Sequence, residues 1–145
     1  MPPPVEVLVV ANRTAATPAL LDAIRARVQK GPCRFYLVVP STPKGLHRVV
    51  DPEVSGREEA ELNLQAALPL LSEAAGGPVD GHVGDADPLA AIQDALFRRP
   101  AEEILISTLP RRLSRWLHLD LVSKTRALGL PVVHVESRLG EPAAA

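Results

Sequence analysis

The chain has 145 residues, a formal net charge of −1 at pH 7, 46% hydrophobic residues and only 3% aromatic ones. That size and hydrophobicity suit one domain spanning residues 1–145 with an aliphatic core, and exclude a disordered chain. Near-neutral charge and four rings (Phe35, Tyr36, Phe97 and Trp116) argue against nucleic acid as a partner, and a single cysteine, Cys33, excludes an internal disulfide and a multi-cysteine zinc site.

Val5 to Val10 is short and rich in valine, and predicts a buried strand. A loop at Asn12-Arg13-Thr14 follows. Thr17 before Pro18 has the form of an N-cap with proline in the first helical position. Leu20, Leu21, Ile24 and Val28 recur at helical spacing until Gly31-Pro32 stops them. Phe35 to Val39 predicts the second strand. Ser41 to Ser55 has no clear period and predicts a loop. Glu58 to Ala75 predicts a helix with a kink at Pro69.

Val79 to Val83 alternates as an edge strand would. Asp87-Pro88 repeats the cap-and-proline start, with Leu89, Ile92 and Leu96 as the buried stripe of a third helix. Glu103 to Ser107 predicts the fourth strand. Thr108 to Leu113 predicts a loop, Ser114 to Leu128 a mostly helical stretch, and Val132 to Val135 the last strand. Residues 136–145 read as a flexible tail. Strands alternating with crossover-length helices predict an α/β fold: a doubly wound, Rossmann-like, five-stranded parallel sheet with helices on both faces.

In such a sheet, ligands sit beyond the carboxyl ends of the strands where the strand order reverses. Two loops there are rich in polar groups: Asn12-Arg13-Thr14, and Ser107-Thr108 leading to Arg111-Arg112. From Arg111 to Arg126 there are five cations and one acid, Asp120, a bias that suits an anion or, equally, a solvated helix face. No glycine-rich dinucleotide or P-loop fingerprint is present. Asp87 is accounted for as a cap, the four histidines have no metal-ligand spacing, and no serine stands in a nucleophile elbow. No catalytic or metal-binding residue is therefore assigned. No apolar run is long enough to span a membrane, so neither a membrane nor a secretory route is expected and the compartment is taken as cytoplasmic.

Four segments together resemble the universal stress protein family. They are Val7 to Thr14, Val38-Val39-Pro40, Gly84 to Pro88, and Ile104 to Thr108 followed by Leu130 to Val135. The resemblance implies strand order 3-2-1-4-5, a regulatory or stress-response module, and adenine nucleotide binding in some members. It also implies a homodimer through Val132, Val133, His134 and Val135, an apolar edge that pairing would cover. The candidate cofactor-binding set is Asn12, Thr14, Val39, Ser107, Thr108, Arg111 and Arg112.

The family's phosphate loop is written G-x-x-G, nine residues, then G-[ST]. Here its glycine places hold Ser107, Pro110 and Asp120, and its hydroxyl place holds Leu121. Side chains then occupy the space that backbone N–H groups need around a triphosphate. The expectation is a degenerate site that takes ATP, AMP or another anion weakly, with ATP at about 0.1 mM or weaker. Two alternatives stay open. One is a phosphate- or nucleotide-handling enzyme on the same scaffold. The other is a ligand-free adaptor that binds an unknown protein partner through the Ser41–Ser55 loop or the last strand.

Overall fold

A computed structural model describes residues 3–41 and 52–138. The elements are β1 (Val5–Val10), α1 (Pro18–Gln29), β2 (Cys33–Pro40), α2 (Pro52–Ala75), β3 (Asp80–Gly84), α3 (Pro88–Arg98), β4 (Glu103–Thr108), α4 (Arg115–His118), α5 (Leu121–Arg126) and β5 (Val132–Glu136). All neighbouring strands pair in parallel, in the order β3-β2-β1-β4-β5. The doubly wound sheet expected from the alternation of strands and helices is therefore present, in the order the resemblance implied.

Two aliphatic cores flank the sheet, and the period of two along each strand divides the side chains between them. Val7, Val9, Phe35, Leu37 and Val39 face one core, which Leu20 and Ile24 of α1 and Leu64, Ala67 and Leu71 of α2 complete. Leu8, Val10, Val38, Ile104 and Ile106 face the other, closed by Ala91, Ile92 and Ala95 of α3 with Trp116, Leu121 and Val122. A strand buried on both faces needs apolar residues at every position, and β1 from Val7 to Val10 is buried throughout.

Local signals act as their chemistry requires. The Thr17 hydroxyl accepts the Leu20 N–H and caps α1, and the Asp87 carboxylate accepts the Leu89 N–H at 3.2 Å and caps α3. Helix α1 is also tied to the sheet by a paired contact: Arg27 Nε donates to Glu103 Oε2 at 2.8 Å and Nη2 to Oε1 at 3.3 Å. That hydrogen-bonded carboxylate holds the guanidinium pKa above its ordinary value.

Several boundaries differ from the sequence reading. Helix α2 starts at Pro52 and continues through Pro69 to Ala75, so the expected loop ends before Ser55. Residues 42–51, which held the rest of that loop, lie outside the described residues. In α3 the fully buried side chains are Pro88, Ala91, Ile92 and Ala95, while Leu89 and Leu96 are half-buried. Small residues sit against the sheet there because the helix packs close to it. The stretch 114–128 is not one helix. It breaks at Asp120, whose φ of +59° is the left-handed conformation that ends a helical run. Two residues of the expected tail belong to the fold: Glu136 closes β5, and Ser137 is buried and hydrogen-bonded, while residues 139–145 lie outside the described residues.

Gly81 lies where α2 crosses the edge of the sheet. A Cβ at this position would strike the Leu37 carbonyl oxygen and come within 2.9 Å of Leu64 Cδ1. Backbone cannot yield as a flexible side chain can. Gly81→Ala is expected to lower stability by about 1–3 kcal/mol, read as a reduced urea midpoint at unchanged slope.

Candidate functional site

The carboxyl ends of β1 and β4 lie side by side at the centre of the sheet, where chain order reverses direction. The loops that leave them part to opposite faces and open a cleft of about 170 Å3 between them. Four of the sequence-derived candidates line it: Asn12, Thr14, Ser107 and Thr108. Its wall and mouth are made by Arg13, Leu109, Leu113, Arg115 and Trp116.

Three candidates lie elsewhere. Val39 is completely buried in the core under α1 and α2 and does not reach the cleft. Its position in β2, one strand away from the reversal, points it into the packing. Arg111 and Arg112 are exposed and outside the lining. A tight turn from Pro110, closed by Leu113 N–H and Ser114 N–H on the Pro110 carbonyl at 2.8 and 3.0 Å, carries both outward. The next arginine, Arg115, starts α4 and comes back to the mouth. Ser114 caps that short helix through the Leu117 N–H at 3.2 Å, and so sets the return.

Asn12 is buried at 7% exposure and serves as a strut. Its Nδ2 donates to the Pro40 carbonyl at 2.7 Å, while its Oδ1 accepts from Asn63 Nδ2 at 2.7 Å. It joins the ends of β1 and β2 to helix α2.

Below it lies a group of four hydroxyls. Thr14 Oγ1 and Ser107 Oγ are 2.7 Å apart, Ser107 Oγ and Ser137 Oγ 3.4 Å, and Ser137 Oγ and Thr17 Oγ1 2.8 Å, while Thr17 Oγ1 donates to the Thr14 carbonyl at 3.0 Å. One hydroxyl carries one proton. Thr17 Oγ1 points its proton at both Ser137 Oγ and the Thr14 carbonyl and shares it between them, while it accepts the Leu20 N–H. The four hydroxyls are thus engaged with one another, and no buried side-chain polar atom among the described residues lacks a partner.

A second link reaches the cleft from the sheet edge. Thr108 Oγ1 donates to the Leu109 carbonyl at 2.8 Å and lies 2.8 Å from His134 Nε2. Burial, with Arg126 nearby, lowers the His134 pKa against the opposing pull of Glu136. Ser137 N–H completes the link by donating to the Thr108 carbonyl at 2.8 Å.

No group of three or more histidine, cysteine, aspartate or glutamate side chains is placed to hold a metal ion among the described residues. Burial raises the Cys33 thiol pKa, which leaves it a poor nucleophile. Among the described residues no helix is long and apolar enough to cross a membrane.

No family model matches the sequence, and no curated protein matches it. Solved structures do. The chain superposes on the universal stress protein from Archaeoglobus fulgidus with a TM-score of 0.59 at 19% identity, covering 90% of this chain and 93% of that one. The chain has the universal stress protein fold. The Archaeoglobus fulgidus universal stress protein in complex with dAMP superposes with a TM-score of 0.55 at 21% identity, over 93% of this chain and 99% of that one. A universal stress protein family protein from Arabidopsis thaliana with AMP bound gives 0.57 at 13% identity, over 94% of each chain. Within the universal stress protein fold, the left-handed backbone at Asp120 stands where the family motif, aligned on Ser107, has a glycine.

The cleft set that the sequence did not single out has visible signals in hindsight. Arg13 and Arg115 flank loops at the strand ends, and Trp116 is the chain's only tryptophan. Ser137 had none, because it lies past the last strand in a stretch without periodicity.

His134 and His82 have the same pH signature. Tyr36 Oη lies 2.7 Å from His82 Nδ1, and burial together with Arg98 and Arg99 lowers the His82 pKa despite Asp94. A histidine whose folded pKa is lowered binds fewer protons folded than unfolded, so its contribution is present above about pH 6.5 and is lost as pH falls. Stability is expected to rise between pH 5 and 7.5. His134→Gln, which keeps a side-chain N–H for Thr108, is expected to flatten part of that rise in chemical denaturation series.

Proposed function

We propose that this protein is a universal-stress-protein-like regulatory module, cytoplasmic and homodimeric, with a degenerate adenine-nucleotide or anion site. The observation that carries the reading is the position of the cleft. It lies beyond the ends of β1 and β4, at the reversal point of a fold whose solved relatives include structures with AMP and dAMP. Its mouth has two arginines, and its floor lacks the glycine backbone that would wrap a polyphosphate.

Regulation by weak binding suits the chemistry. The Thr108 hydroxyl, which meets His134, also bonds the Leu109 carbonyl, and the Thr14 and Ser107 hydroxyls are engaged with each other. A ligand would change the surface around Arg115 and Leu113, which is 68% exposed, and a partner would read that change.

The dimer reading rests on β5. It ends the sheet, is only five residues long, and leaves Val133 52% exposed beside unpaired backbone. A two-fold mate would cover both.

Calorimetric titration tests the site. AMP is expected to bind with a Kd on the order of 0.1 mM and ATP no more tightly, and salt is expected to weaken both because exposed arginines are screened. Sub-micromolar ATP affinity would overturn the degenerate site. Sedimentation tests the assembly: a dimer at micromolar concentration that Val133→Lys converts to monomer supports it, and a wild-type monomer would overturn it.

A further inference from the structure

Anions are bound by donors. The Thr108 hydroxyl is spent on the Leu109 carbonyl, and the Thr14–Ser107 contact of 2.7 Å uses one of the two protons those hydroxyls carry, so the floor is poor in donors. Pro110 removes a backbone N–H from the loop that follows β4. At the mouth the situation is reversed. Neither Arg13 nor Arg115 has an ion pair or side-chain hydrogen bond among the described residues, and both are exposed. Between mouth and floor the wall is apolar, made by Leu109, Leu113 and Trp116.

We propose that the cleft takes a compact amphipathic anion: one ring or branched apolar group directed inward against Trp116, with a single phosphate or carboxylate directed outward onto Arg13 and Arg115. The polarity is the reverse of a cradle that draws phosphate to its floor. Size agrees with the class. A cavity of about 150 Å3 accepts one benzene ring, and this cleft measures about 170 Å3. One ring bearing one charge fills a space of that size. Two guanidinium groups from different loops fix the anion, because Arg13 follows β1 and Arg115 opens α4. The inference rests on the reading of the cleft as an anion site.

Phenyl phosphate serves as the probe, and emission from Trp116, the only tryptophan, reports contact. Phenyl phosphate is expected to alter the emission saturably and to bind at least tenfold more tightly than inorganic phosphate or benzyl alcohol. Arg13→Ala with Arg115→Ala, both on exposed side chains, is expected to weaken it at least tenfold at unchanged melting temperature. If inorganic phosphate bound as tightly and left the emission unchanged, the cleft would remain an anion site and the amphipathic class would fall. Phenyl phosphate binding that survived the double substitution but was lost in Ser107→Ala would place the phosphate on the floor and overturn the proposed orientation. Absence of binding by phenyl phosphate, inorganic phosphate and AMP alike would overturn this inference together with the anion reading on which it rests.

Discussion

Everything in this molecule is arranged around the pairing of β1 with two neighbours at once. Val7 to Val10 bond β2 on one side and β4 on the other, and their side chains alternate into separate aliphatic cores. Chain order runs outward in both directions from that pair. The loops leaving β1 and β4 must therefore diverge to opposite faces, and the cleft is the space they vacate. A site at this position follows from topology before any side chain is considered.

Side-chain chemistry then decides what the site can do. In a glycine-rich version of such a loop, backbone N–H groups turn towards the ligand. Here the loop that follows β4 has no glycine, and the structure satisfies its polar groups internally. The hydroxyl ring connects the loop after β1, the cap of α1, the end of β4 and the residue after β5 in one closed circuit. Such a circuit holds three strand ends in register without any ligand. A buried network that is fully satisfied is rigid. The positive charge has moved outward, to guanidinium groups at the rim.

The edge strand is part of the same circuit. His134 and Ser137 both reach Thr108, so the strand that leaves Val133 exposed is one hydrogen bond from the lining of the cleft. Thr108 thereby joins the lining of the cleft to the sheet edge by direct hydrogen bonds.

Periodicity and punctuation in the sequence determined the elements and the fold class. Runs such as Val7 to Val10 and Ile104 to Ile106 can only be strands buried on both faces, and Thr17-Pro18 and Asp87-Pro88 are helix starts by local chemistry alone. The strand ends that would bear the cleft were legible for the same reason. The break at Asp120 was not, because a left-handed aspartate leaves no mark on helical spacing. Which arginines reach the cleft was decided only by tertiary structure. The turn at Pro110 sends Arg111 and Arg112 outward and returns Arg115, and a charge count cannot see direction. Ser137 had to be seen in place as well. Its hydroxyl acquires meaning from Thr17, 120 residues away along the chain, and from Ser107, which β-sheet pairing alone brings beside it.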